Sequence, residues 1–240
     1  VEHLAEQKPQ RIWLLDPGRA LDDTAVTALA WTSGLETGSV DVLTGEDVSS
    51  FSGKLASLTR RGSAAPVFVV DGRDRVAVRA VAPVAAVLCS PVLVASGGRL
   101  ATETAQWLDT LPATTRVALI GSTSALPRTL AAGRPVTRHG GSDVAALLAA
   151  LNARYVTASK SSHSRPVVAD PAHGAAFLVS STRAGSVRQP IVAVGGQVLP
   201  PRTREWITNR RTRIGGFEVH DPFGAVPPAL DRALRKAEYL

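Results

Sequence analysis

The chain has 240 residues, of which 45% are apolar, and a mean hydropathy of +0.08, so it can bury a core and is not a disordered segment. Its formal net charge of +7 and sequence pI of about 10.4 suit polyanionic partners such as nucleic acid, anionic lipid or a phosphate- or uronate-bearing polysaccharide. The arginine usage of a high-GC actinobacterial genome would explain the same charge, and no apolar run approaches the roughly 20 residues that span a bilayer.

Short valine-rich runs predict seven strands, over residues 11–16, 40–43, 66–71, 91–95, 116–121, 165–170 and 190–194. Their apolar character is continuous rather than alternating, which is typical of parallel strands covered by helices on both faces. Alanine-rich segments of helical length lie between them, over residues 22–34, 48–58, 75–89, 101–111, 142–152, 174–185 and 201–210. Strands that alternate with helices in this way predict an α/β fold.

Several local features interrupt this pattern. Pro83 lies inside a predicted helix and should kink it or end it early. Residues 157–164 are small and polar and predict a linker, whereas residues 2–10 predict a frayed lead-in. Cys89 has no partner for an internal disulfide, and its apolar neighbours predict a small buried hydrophobe. The chain has no methionine, so we expect a processed or trimmed piece of a longer product.

One phrase of small apolar residues followed by a glycine turn occurs three times, as SVDVLTGE (39–46), SPVLVASGG (90–98) and QPIVAVGGQ (189–197). A strand that ends in aspartate precedes each copy, at Asp16, Asp71 and Asp170. An alanine-rich helix separates each aspartate from its phrase, and a second helix follows. Because three features recur in the same order, the sequence predicts a repeated βαβ unit. The predicted repeats are residues 1–64, 65–156 and 157–240.

The second copy resembles the cell wall binding repeat 2 modules of Gram-positive surface proteins. The resemblance is carried by PVLVA (91–95), VALIG (117–121) and RHGGSD (138–143). The third copy offers PIVAV (190–194) and Ile214–Gly216, and the first offers only Val42–Thr44. The chain departs from the family at Val144 and Ala145, where the family has Arg-Tyr, and at Ser122, where it has a second glycine. The resemblance implies three Rossmann-like βαβ modules with parallel sheets, a number that allows a pseudo-threefold arrangement.

The resemblance also implies a non-catalytic function. Such a module would anchor a longer secreted protein to an anionic cell-wall polysaccharide or a teichoic-acid-like polymer, outside the cell. Several weak sites on one chain would raise the overall avidity. No cofactor, metal, nucleic acid or membrane span is expected, and self-association is left open.

Arginines and one tryptophan supply the chemistry for such binding, because guanidinium forks match phosphate or carboxylate groups and indole faces stack on sugar rings. The candidate polymer-binding residues are Asp71, Arg73, Arg75, Pro91, Val92, Leu93, Val94, Arg99, Arg202, Arg204, Trp206 and Arg210, with Arg211 and Arg213 as further cations. Each has a structural alternative. The aspartates could cap the helices that follow them, and Trp206 could turn inward from a solvated helix face.

Two other functions remain open. The first is a structural or protein-interaction module that has lost polymer binding. The second is an α/β enzyme that binds a small molecule. Against catalysis, the five histidines lack metal-ligand spacing, and no Gly-x-Ser-x-Gly elbow is present. The glycine turns at residues 95–99 and 194–197 match neither the dinucleotide-binding fingerprint nor the P-loop.

Overall fold

A computed structural model of the chain describes residues 10–16, 20–59, 65–156, 165–195, 199–219 and 228–239. Within these ranges the strands form three parallel sheets. The first sheet contains β1 (Ile12–Asp16) and β2 (Val40–Thr44). The second contains β3 (Val67–Asp71), β4 (Val92–Ala95), β5 (Val117–Ile120) and β6 (Val136–His139), in the order β4-β3-β5-β6. The third contains β7 (Val167–Ala169), β8 (Ile191–Ala193) and β9 (Glu218–Val219), in the order β8-β7-β9.

The helices alternate with these strands along the chain. They are α1 (Asp23–Thr32), α2 (Val48–Thr59), α3 (Arg75–Leu88), α4 (Thr102–Asp109), α5 (Val144–Leu151), α6 (Gly174–Ser186), α7 (Pro201–Thr208) and α8 (Pro228–Tyr239). Asp22, Asp74 and Asp143 cap α1, α3 and α5, each accepting a hydrogen bond from the backbone N–H three residues on. The predicted Rossmann-like α/β fold with parallel sheets is confirmed.

All seven predicted strands are present, but β6, β9 and α8 were not predicted. Of the two outcomes predicted for Pro83, a kink or an early end, the early end is wrong, because α3 runs on to Leu88. Ala80 and Val84 on either side of Pro83 are fully buried, and this packing offsets the hydrogen bond that proline removes. The predicted linker at 157–164 and nearly all of the lead-in at 2–10 lie outside the described residues.

The second and third sheets share one apolar cluster, which lies between α3, α5 and α6 and includes residues from β3, β5, β7 and β8. Helices α3 and α6 approach closely at Gly185, where a Cβ atom would lie only 2.8 Å from the Cβ of Ala86. Helices α2 and α4 approach equally closely at Gly53, where a Cβ atom would lie 2.8 Å from the Cα of Thr104. Glycine at both contacts lets neighbouring helices pack backbone to backbone.

The strands of all three sheets point towards the same end of the molecule. Helix α3 begins after the carboxyl end of β3, and its Arg79 donates to the carbonyl of Pro171, which follows the carboxyl end of β7, at 3.3 Å. The ends of α3 and α6 meet at Gly185, so these two helices run parallel. Ser49, at the start of α2, accepts from the N–H of Ala101 and from the hydroxyl of Thr104, at the start of α4. The carboxyl ends of the strands therefore share one edge of the molecule, the carboxyl edge, and the opposite ends form the amino edge.

Candidate functional site

Asp71 and Asp170 order matching turns at the carboxyl edge. Asp71 pairs with Ala95 across the second sheet, and its carboxylate accepts from the N–H of Arg73 at 3.0 Å. Asp170 directly follows β7, and its carboxylate accepts from the N–H of Ala172 at 2.8 Å. In both cases the aspartate binds the backbone two residues on, which is an Asx turn. The carboxylates therefore fix the path of the chain between strand and helix.

Asp16 occupies the corresponding strand end in the first sheet, opposite Thr44. Its buried carboxylate reaches further along the chain and accepts from the N–H groups of Ala20 and Leu21, both at 2.9 Å. The interpretation of these aspartates as helix caps is wrong for α1 and α3, because Asp22 and Asp74 occupy the cap positions. The sequence alone did not show which aspartate orders the turn and which caps the helix, because two aspartates lie within six residues in each segment.

Arg138, which matches the arginine of the family motif, supports the turn after β5. Its Nη1 donates to the carbonyls of Gly121 and Ser122, and its Nη2 donates to the carbonyl of Leu126. Three accepting carbonyls use most of the fork of donors that a guanidinium offers. Arg138 therefore shapes the loop at the carboxyl edge, and its guanidinium is committed to the chain itself.

Five of the candidate arginines lie at the carboxyl edge and are exposed, namely Arg73, Arg75, Arg99, Arg202 and Arg204. Each has an acidic residue within four positions along the sequence, and Arg202 pairs with Glu205 at 2.8 Å. The edge therefore carries charges of both signs in close alternation. Such a surface attracts an anion less strongly than the net charge of the chain suggests.

The candidate residues Pro91, Val92, Leu93 and Val94 are packed against the core. Pro91 and Leu93 are buried, and Leu93 is 0% exposed, whereas Val92 and Val94 are half-buried. Leu93 belongs to a cluster that also contains Ala56 of α2, so it helps to join the first two sheets. A polymer cannot reach the Leu93 side chain in this arrangement. Any effect of this strand on binding would act through the shape of the molecule.

Cys89 is exposed, so the prediction of a buried thiol is wrong. It ends α3 in the left-handed conformation, with φ of +50°. Its N–H donates to the carbonyl of Ala86, and the next N–H, of Ser90, donates to the carbonyl of Ala85. This turn carries the chain out of the helix and into β4, and it directs the side chain away from the core.

Trp206 is 4% exposed and packs in the apolar cluster beneath α7, so its indole offers no face to a sugar ring. The guanidinium of Arg210 lies over the ring at 4.9 Å from the centroid and donates to the Trp206 carbonyl at 3.3 Å. Burial, and then the nearby charge of Arg213, lower the pKa of Arg210. The structure thus brings Arg210, Arg211 and Arg213 to the amino edge, away from Arg202 and Arg204 at the start of the same helix.

A small polar cluster in the second sheet joins His139 to Tyr155. The hydroxyl of Tyr155 lies 3.0 Å from Nε2 of His139 and 2.7 Å from Oγ1 of Thr137. Burial, and then the charge of Arg154, lower the pKa of His139. In the described ranges, this cluster included, no three His, Cys, Asp or Glu side chains are grouped to hold a metal ion. No helix of the described residues is long and apolar enough to cross a membrane.

The fold and its sheet edges define an α/β protein with parallel sheets, and two solved structures are similar to it. Cwp8 from Clostridium difficile matches with a TM-score of 0.74 and 15% sequence identity, over 96% of this chain and 39% of that chain. Cwp6 from Clostridium difficile matches with a TM-score of 0.77 and 12% identity, over 98% of this chain and 37% of that chain. This chain therefore spans less than half the length of either neighbour. No protein-family model and no curated protein sequence matches the chain.

Proposed function

We propose that this chain is a non-catalytic cell-wall-binding module that anchors a longer secreted protein to an anionic cell-wall polymer. The observation that carries the proposal is the likeness of fold over nearly the whole chain to Cwp8 and Cwp6, which are cell wall proteins. The sequence resemblance to cell wall binding repeat 2 modules points in the same direction. Location outside the cell, in contact with the wall, follows from the proposal.

The chemistry of the surface supports an anionic ligand. The net charge is +7, and arginine supplies most of the cations that the described surface exposes. A guanidinium remains charged at every physiological pH and can bind phosphate or carboxylate through two parallel hydrogen bonds. A wall polymer repeats its anionic group many times, so several weak contacts on one chain combine into tight attachment. The polymer would therefore be a phosphate- or uronate-bearing polysaccharide.

The candidate residues divide by how they would act. Arg73, Arg75 and Arg99 in the second repeat, and Arg202 and Arg204 in the third, would contact the polymer directly because they are exposed. The segment 91–94 and Trp206 would act by holding those arginines in place, since their side chains face the core. The division into repeats at residues 64 and 156 belongs to the same proposal, in which each parallel sheet is the centre of one repeat.

Retention on purified Gram-positive cell walls tests this function. The chain should sediment with native walls at 0.1 M salt and be released at 1 M, because the Debye length falls from about 10 Å to about 3 Å. Walls from which hydrofluoric acid has removed phosphodiester-linked polymers, or whose uronates have been reduced, should retain less of it. Retention on stripped walls at 1 M salt would rule out the anionic mechanism. No retention on any wall would favour a structural module that has lost polymer binding.

A further inference from the structure

The two edges of the third sheet differ in their charge. At the carboxyl edge, Arg202 and Arg204 lie beside Glu205. At the amino edge, besides Arg183, lie five further arginines, namely Arg165, Arg188, Arg210, Arg211 and Arg213. Among the side chains described at this edge, the acidic one is Glu218. It already forms an ion pair with Arg183, in which Oε1 of Glu218 lies 2.7 Å from Nε of Arg183. Cations therefore predominate at the amino edge of the third sheet.

The sheet order brings together three of these arginines that are distant in sequence. Arg165 and Arg188 lie in the segments that lead into β7 and β8, which are neighbours. The N–H of Arg165 donates to the side-chain carbonyl of Gln189 at 3.4 Å, so the two segments touch. Arg213 lies in the segment that leads into β9, on the other side of β7. Neighbouring strands are about 4.8 Å apart, so the three strand starts span only about 10 Å.

The structure also keeps these guanidinium groups available. Arg165, Arg188 and Arg213 are exposed, and none of the three side chains forms an ion pair with a described residue. Arg210 is fixed against Trp206 and lies close enough to Arg213 for the two charges to repel each other. An anion placed between such cations would relieve that repulsion.

Arg188 occupies a strained backbone position. Its φ is +52°, in the left-handed region where glycine is favoured and where another residue costs free energy. An equivalent turn follows α3, where Cys89 has a φ of +50°. The turn therefore recurs in the second and third copies, but the residue with positive φ differs between them. In the third copy it directs an arginine outward at the amino edge. The conformation therefore belongs to the turn that ends each helix, and the third copy differs in placing an arginine there.

We propose that the amino edge of the third sheet, formed by Arg165, Arg188, Arg210, Arg211 and Arg213, is the main surface that binds the anionic groups of the wall polymer. The inference rests on the proposed function and ranks this edge above the carboxyl edge, where the exposed arginines lie among acidic residues and would make weaker contacts. A polysaccharide fits better than single-stranded nucleic acid, because Trp206 is buried and Phe217 is half-buried. The described part of this edge therefore has no exposed aromatic platform on which bases could stack.

Binding of poly(glycerol phosphate) and of polygalacturonate to the full chain tests this assignment, with neutral dextran and duplex DNA as comparisons. The double variant R165Q/R188Q should bind the preferred polyanion about two- to twenty-fivefold more weakly, at about 1.4- to fivefold per exposed ion pair. The matched variant K54Q/R128Q removes two exposed cations from other parts of the surface and should change affinity by less than about twofold. The preferred polymer distinguishes phosphate from carboxylate recognition.

The variant R188G distinguishes weaker binding caused by loss of the arginine from weaker binding caused by unfolding. It removes the cation while relieving the left-handed strain, so the midpoint of thermal unfolding should be unchanged or higher while binding weakens. Undiminished binding by R165Q/R188Q, or a larger loss in R73Q/R75Q at the carboxyl edge, would overturn the assignment and leave the proposed function standing. Binding of neither polyanion by the unaltered chain would overturn both, and tighter binding of DNA than of either polysaccharide would overturn the choice of partner.

Discussion

Replacing Leu93 with alanine should lower the free energy of unfolding by about 2–5 kcal/mol. The side chain is 0% exposed and packs with Ala56, Leu108 and Leu119. Removing three buried carbons at about 0.8 kcal/mol each gives about 2.4 kcal/mol. The remaining cavity adds to this loss because strand β3 and helix α2, which pack against β4, limit its collapse. For a chain of this size, the midpoint of thermal unfolding should fall by about 4–20 °C.

Urea titration followed by circular dichroism, with calorimetry for the midpoint, measures this loss. Leu178 on α6 is the matched control, because it is 64% exposed and its replacement by alanine should cost less than about 0.5 kcal/mol. The folded Leu93→Ala chain should also bind the wall polymer as tightly as the unaltered chain. Equal losses at the two leucines would refute the packing argument. Weaker binding by the folded variant would show that the packing of β4 also holds the binding surface in its shape.

Three further predictions concern a helix contact, a strained turn and a half-buried imidazole. Gly53→Val should lower the free energy of unfolding, measured by urea titration, by about 1–3 kcal/mol, because its Cβ would lie 2.8 Å from the Cα of Thr104. A similar loss in Ser57→Val, on the exposed side of α2, would contradict this reason. Cys89→Gly should raise the free energy of unfolding by up to about 1 kcal/mol, because glycine adopts a positive φ without strain, whereas Cys89→Ala should not raise it. Equal changes in the two variants would show that the turn is not strained. Burial lowers the pKa of His139, so below pH about 6.5 the unfolded chain binds more protons than the folded chain. The free energy of unfolding should therefore carry no penalty from His139 above pH about 6.5 and should decline as the pH falls below it. Thermal melts from pH 8 to 5 should show a smaller decline for His139→Asn, and an equal decline would exclude His139 as the source.

Valine-rich runs made most of the sheet core predictable. Their continuous apolar character is the direct consequence of burial on both faces, and the structure buries Val67 to Val70 completely. Strand β6 escaped prediction because it includes Thr137, Arg138 and His139, which are tolerated at the edge of the sheet. Strand β9 has only two residues, too few for any hydropathy pattern.

The candidate site was harder to predict, because side-chain direction and sheet order decide it. The sequence places Arg202 and Arg210 in one basic segment, but the length of α7 carries them to opposite edges of the sheet. Arg165, Arg188 and Arg213 are more than twenty residues apart along the chain. Only the pairing of β8, β7 and β9 brings them to one edge, and no local sequence motif predicts that strand order.

Titration of the full chain with polymer released from purified Gram-positive walls tests the proposed function most directly. Calorimetry at 0.1 M and 1 M salt should give a dissociation constant that rises steeply with salt, because exposed charges are screened as the Debye length shortens from about 10 Å to about 3 Å. The same titration with phosphate- and uronate-free polymer should give no measurable heat. Binding that is independent of salt, or equally tight to the uncharged polymer, would contradict the proposal that this chain anchors its protein through anionic groups of the wall.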